Sequence, residues 1–414
     1  MNKKGLPDGW KEVKLGEVAN ILMGQSPKSE SYNINGDGVP FYQGVTEFTD
    51  RNVKIKTFTN QPKKVVKANT ILFSVRAPVG RVNFVRHQAC IGRGNAGIVM
   101  KNGLQNFLFY LLKYIEKQIQ SYTSGTVFTS INSKDLKNLP IKAPPLPEQQ
   151  KIAEILSSLD DKIELNNQMN KNLENMAQTI FKHWFVDFEF PDENGKPYAS
   201  NGGKFVKSEM GLIPEGWRVG RINDVAEVIG GGTPSRKVDE YFTEKGIPWI
   251  TPKDLSSYNK KFIERGSQDI SSLGLKKSSA KLMPKDTVLF SSRAPIGYIV
   301  ISKNEVSTNQ GFKSLIPKNG FGVEYIYYLI KYIRPLIENR ASGSTFKEIS
   351  GGEMKKISVI IPNEKILKKF ESILNSSSSQ MLSNEEEVEN LIQIRDSLLP
   401  KLMSGEIRVG DMEK

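Results

Sequence analysis

The chain repeats itself. The segment around Trp10, GWKEVKLGEVANILMG, matches GWRVGRINDVAEVIGG around Trp217 at an offset of 207 residues. SVRAPVG (Ser74 to Gly80) matches SSRAPIG (Ser291 to Gly297) at 217. CIGRGNAGI (Cys90 to Ile98) aligns loosely with STNQGFKSL (Ser307 to Leu315) at the same offset. SGTVFTSINSKDLKNLPI (Ser124 to Ile141) matches SGSTFKEISGGEMKKISV (Ser342 to Val359) at 218. Four blocks in one order, at offsets of 207 to 218, mark a tandem duplication. Its period far exceeds that of a solenoid repeat, so each copy must be a domain plus an attachment.

Each copy has the same internal plan. Runs rich in Val, Ile, Thr and Phe between turns, such as TILFSV from Thr70 and DTVLFSS from Asp286, predict strands. FLFYLLKYIEKQI (Phe107 to Ile119) and EYIYYLIKYIRPLI (Glu324 to Ile337) predict short helices. The mixture predicts an α+β domain at the front of each copy. A long helix follows. In the first copy a 4/3 spacing runs through Ile152, Leu156, Leu159, Ile163, Asn166, Asn170, Leu173, Ala177, Ile180 and Trp184. The same phase returns 218 residues later at Phe370, Leu374, Ser377, Met381, Asn384, Val388, Leu391, Arg395, Leu398 and Leu402. This is the seam of a coiled coil, and an Asn recurring within it fixes register at a cost in stability. About 38 helical residues would make a rod of roughly 57 Å.

The expected organisation is a domain over 1–147, a helical region over 148–190, a linker over 191–213 rich in Gly, Pro, Asn and Ser, a second domain over 214–364, and a helical region with its tail over 365–414. The fold class expected is two tandem α+β domains separated by two long antiparallel helices forming a coiled coil, with pseudo-twofold symmetry. Net charge is +13, yet residues 148–190 carry −4 and 365–399 carry −2, so the positive excess lies in the domains. A basic surface suits a polyanionic partner. No apolar run reaches a membrane span. The opening MNKKGLPDGW has no apolar core behind its lysines, so no signal peptide is expected. The single cysteine, Cys90, leaves no internal disulfide and fits a reducing cytoplasm.

Two similar domains held apart by rigid helices suit a duplex read as two half-sites at a spacing set by the scaffold. The outward-facing residues of the copies differ, so the expected target is asymmetric, in two parts, with an unread spacer.

Three linked segments carry a family resemblance. PPLPEQQKIAEILSSLDDKIELNN (Pro144 to Asn167) resembles the first conserved helix of Type I restriction-modification specificity subunits. FKHWFVDFEFPDENGKPY followed by IPEGW (Phe181 to Tyr198, Ile213 to Trp217) resembles their central connector. LLPKLMSGEIRV (Leu398 to Val409) resembles their C-terminal signature, whereas IIPNEKILKKF (Ile360 to Phe370) departs from the fuller first-copy pattern. The resemblance implies two target recognition domains, each reading half of a bipartite DNA sequence. It implies helices that set the spacer and dock two modification (methyltransferase) subunits. Those subunits would bind S-adenosylmethionine, with restriction (motor-nuclease) subunits joining them, and this chain itself would hold no cofactor and no catalytic residues.

The chain's own chemistry agrees. Gly92, Gly94 and Gly97 spell GxGxxG, but no helix is expected after them and the second copy lacks the pattern. Two His and one Cys cannot alone supply a zinc site. No phosphate loop is present, nor the Asn-Pro-Pro-aromatic motif of an adenine methyltransferase. Pro191-Asp192 begins a nuclease-like pattern that nothing completes. A separate enzyme is therefore disfavoured. The alternative is an orphan DNA-binding or interaction module outside an active restriction system. Polar residues in Gly-flanked loops at matching places are the candidate DNA contacts. They are Gln43, Arg76, Arg81, Arg93, Ser124, Thr126 and Thr129 in the first copy, and Lys253, Arg293, Asn309, Gln310, Lys313, Ser344, Thr345 and Lys347 in the second. Arg76 and Arg293 occupy one place in the repeated block, which suits phosphate contact or folding more than base reading.

Overall fold

The computed structural model describes residues 6–122, 130–343 and 347–409, with side chains of 117–122 excepted. The chain divides into two compact units, Met1–Glu164 with Val388–Lys414, and Leu165–Glu387. The division crosses two long helices, α2 (Leu146–Phe185) and α4 (Glu364–Ser404).

The first unit holds a four-stranded antiparallel sheet in the order Ala19–Met23, Asn95–Met100, Thr70–Ser74, Val82–Val85. Its central strand is buried at every position, as a β-branched and aromatic run between two neighbours should be. Helix α1 (Gln105–Tyr122) covers the sheet with Phe107 to Leu112, all buried, and Phe109 stacks on Phe84 at 4.5 Å. A smaller sheet pairs Val39–Tyr42 in parallel with Ala89–Ile91.

The second unit repeats this order with Ala226–Gly230, Lys313–Pro317, Val288–Ser292 and Ile296–Ser302, then adds Phe262–Ile263 at the edge. Its covering helix is α3 (Val323–Arg340). Its small sheet pairs Ile247–Ile250 in parallel with Ser307–Thr308. The duplication is thus visible as strand order. The segment after α2 is folded, not extended. Phe190 stacks on Tyr198 at 4.6 Å and on Trp217 at 4.9 Å, and Phe205–Ser208 pairs with Gly211–Pro214.

Within each unit the long helices run antiparallel. In the first, Ile152 and Leu156 share a core with Leu399, Leu402 and Met403. In the second, Phe181, Trp184 and Phe185 surround Phe370 at 4.8–6.0 Å. Ile163, Leu374 and Met381 are buried, and Leu159, Leu173, Ile180, Leu391 and Leu398 are half-buried. Asn166 donates to Glu387 at 2.7 Å, and Asn384 donates to Asn170 at 2.8 Å, so each seam Asn meets a polar partner other than its sequence equivalent.

Buried charge ties each domain to its helices. Asp160, 3% exposed, accepts from Tyr110 Oη on α1 at 2.7 Å and from Arg395 on α4 at 2.7 Å, and lies 4.0 Å from Arg51 Nε. In the second unit Lys261 Nζ meets Glu324 at 2.5 Å and Ser378 at 2.6 Å, while Tyr328 donates to Glu174 at 2.8 Å. Burial pushes the Glu371 and Glu385 carboxyls up to about 7, even though backbone N–H groups of Tyr325, Lys261 and Phe262 donate to them. These groups keep protons that the unfolded chain has released above its ordinary carboxylate range. Stability of this unit therefore falls as pH rises from about 4.5 to 7 and levels off above. Urea midpoints should drop between pH 5 and pH 8 by the equivalent of roughly 2 kcal/mol for each of the two groups. A Glu371→Gln, Glu385→Gln double variant should flatten that slope.

Candidate nucleic-acid interface

The two domains build one loop cluster twice. In the first, the chain leaves strand Ala19–Met23 through Gly24, Gln25 and Ser26 and lies against the turn Gly92-Arg93-Gly94. Gly24 N–H donates to Asn95 O and Gln25 N–H to Ile91 O, both at 2.9 Å. Gln43 follows strand Val39–Tyr42, and its Oε1 accepts from Ser26 Oγ at 2.9 Å. Ser26 Oγ in turn accepts the Arg93 N–H at 3.1 Å. Gln43 and Arg93 are both exposed.

In the second domain Gly232 N–H donates to Thr308 O at 2.9 Å, and Asn309 N–H to Ile250 O at 3.0 Å. Thr233 Oγ1 hydrogen-bonds Gln310 Oε1, and Asn309 Oδ1 accepts the Gly311 N–H at 2.9 Å. Exposed Lys253 follows Pro252, which packs on Gly311. The adjoining turn is pinned by Asp254. Burial raises its carboxyl, but donors from Thr251 and Ser267 outweigh this and hold it below its ordinary value.

The closeness of these loops depends on matching glycines. A Cβ on Gly24 would lie 2.1 Å from Gly92 O, and one on Gly231 would lie 2.1 Å from Asn309 O. Neither backbone oxygen can yield without moving its turn. Gly24→Ala and Gly231→Ala should each destabilise their unit by about 1–3 kcal/mol in thermal unfolding. Gly44→Ala, with open space around the site, should be near neutral.

The other candidates divide. Arg76 is exposed beside a bridge to Ser130. Its counterpart Arg293 is paired with Glu348 at 3.3 Å, and Lys313 reaches the same carboxylate at 3.1 Å. Arg81 is paired with Glu116 on α1 at 3.1 Å. Lys347 is exposed. Ser124, Thr126, Thr129, Ser344 and Thr345 lie outside the described residues. The structure thus gathers Gln43 with Arg93, and Lys253 with Asn309 and Gln310, into donor-rich loops. It commits Arg81, Arg293 and Lys313 to carboxylates. The glycines of GxGxxG form this turn and enter strand Asn95–Met100, with no helix to receive a pyrophosphate.

Residues 7–175 and 214–392 each match the Type I restriction modification DNA specificity domain. The chain belongs to this family. As a Type I specificity subunit it is a non-catalytic component of a restriction-modification system. It is 26% identical to the Type I restriction enzyme MjaIX specificity subunit of Methanocaldococcus jannaschii, over 98% of this chain and 95% of that one. It is 28% identical to the HindI specificity subunit of Haemophilus influenzae, over 96% and 99%. The crystal structure of a Type I restriction-modification S subunit from M. genitalium has the same fold, with a TM-score of 0.62 at 18% identity over 97% of this chain and 98% of that one. Among the described residues of this specificity subunit no helix is long and apolar enough to cross a membrane.

Ser26 and Thr233 were not among the residues singled out from sequence. A signal for them exists, since Gly24-Gln25-Ser26-Pro27 and Gly231-Gly232-Thr233-Pro234 repeat one G-x-[S/T]-P pattern at the offset of 207.

Proposed function

We propose that this specificity subunit reads an asymmetric bipartite DNA target in the cytoplasm, residues 1–147 reading one half and residues 214–364 the other. The long helices set the unread spacer and dock two modification subunits, which carry S-adenosylmethionine and methylate adenine. Restriction subunits join that complex to cut unmodified DNA. The observation that carries this reading is the loop cluster built twice on matching glycines and strands, yet furnished with Gln43 and Arg93 in one domain and Lys253, Asn309 and Gln310 in the other. A shared frame with different polar side chains is what two different half-targets require, since base edges are distinguished by their donors and acceptors. Two further predictions follow from the roles assigned. Genome-wide mapping of methyladenine with and without the gene should show the loss of one bipartite motif, and an unchanged map would refute the proposal. Inserting whole heptads in register into both α2 and α4 should lengthen the spacer and leave both half-sequences as they were.

A further inference from the structure

We propose that Ser26 and Thr233 are positioning residues that fix which end of a base-reading glutamine amide faces the DNA. The inference rests on the two-half-target reading above and adds to it a direction of hydrogen bonding.

A glutamine amide has a donor end and an acceptor end of nearly the same shape. Unrestrained, it can turn by 180° and satisfy opposite base edges, so it discriminates poorly. Gln43 is restrained. The Ser26 hydroxyl oxygen already accepts the Arg93 N–H at 3.1 Å, which leaves its proton to be given. That proton points to Gln43 Oε1 at 2.9 Å. The relay runs one way, from Arg93 N–H through Ser26 Oγ–H to the amide oxygen. The amide nitrogen is left as the presented end, beside the exposed Arg93.

The second domain reaches the same outcome with different residues. Thr233 hydrogen-bonds the Gln310 amide oxygen. The neighbouring, half-buried Asn309 has its oxygen taken by the Gly311 N–H at 2.9 Å, so its nitrogen is the end left to donate. Both loops therefore offer N–H donors. The base edges they fit carry acceptors in the major groove, namely guanine N7 and O6, thymine O4 or adenine N7. A freed amide could instead turn its carbonyl to cytosine N4 or adenine N6.

The test uses the full chain co-expressed with its modification subunits in a host lacking other adenine methylation, read by methylation sequencing. Ser26→Ala should relax one base pair of the half-target read by residues 1–147. Methylation at sites substituted there should rise about tenfold relative to the parent protein. The half read by residues 214–364 should be unchanged and reports that the chain is folded and assembled. Ser26→Thr, which places in the first domain the residue the second already uses, should restore the parent motif. Gln43→Glu, at an exposed side chain, should abolish recognition at that base pair or shift it to a base offering a donor. An unchanged half-target in Ser26→Ala would overturn the inference, and one in Gln43→Glu would do so by removing Gln43 from base reading. So would equal loss of methylation at all sites in Ser26→Ala, which would mark Ser26 as a folding residue. Failure of the underlying reading looks different: the parent protein itself would yield no bipartite motif.

Discussion

Asp160→Ala is expected to cost roughly 3–5 kcal/mol, among the largest losses any single substitution in this chain should produce. The carboxylate is 3% exposed and is shared by Tyr110, Arg395 and Arg51. Arg51 would keep Asp161 at 2.6 Å, but Arg395 would retain only the surface carboxylate of its neighbour Asp396. Removing one partner from a buried group leaves the others charged and poorly solvated, which costs more than the pair ever contributed. Asp160→Asn keeps an acceptor for one donor and should cost less, about 1–2 kcal/mol. Urea unfolding of both variants against the parent checks the order. A cost for alanine below that of asparagine would remove Asp160 from the centre of this unit.

The second large effect is on sequence choice. Exchanging residues 1–147 for the corresponding segment of another specificity subunit should replace one half of the methylated motif and preserve the other half and the spacer. The measurement is a methylation map of the hybrid. Both halves changing would mean that the domains do not read independently. Neither changing would place recognition outside this segment.

Much of the fold was legible because duplication multiplies weak signals. A short apolar run such as TILFSV is ambiguous alone, but its return as DTVLFSS in the same order makes it a strand of a repeated sheet. The long helices were legible from their apolar phase. Their tethering was not. Arg51, Asp160 and Arg395 stand far apart in the chain, and charged residues on a helix ordinarily mean a solvated face. Arg395 falls at a seam position, and its partner there is the buried carboxylate of Asp160. The connector after α2 was read from its Gly, Pro, Asn and Ser content as a linker. Phe188 and Phe190 just before it carry the aromatic packing that folds it. At the candidate interface, glycine-flanked polar residues pointed to the loops. Which of them were occupied by carboxylates depended on Glu116 and Glu348, whose nearness only the fold creates.

The first unit takes residues from two widely separated stretches of the chain. Leu399, Leu402, Met403 and Val409 complete the core that Leu15 and Ile71 begin, and Arg408 clasps Glu148 with bonds of 2.7 and 2.9 Å. A ribosome therefore delivers the N-terminal domain long before the helix that finishes it. Until residues 388–409 are translated, that domain must wait with its Ile152 and Leu156 stripe uncovered and Asp160 without Arg395. A chain stopped before residue 388 would lack part of the first unit's core as well as the end of α4. Nascent chains would present that apolar surface to chaperones throughout synthesis of the second copy.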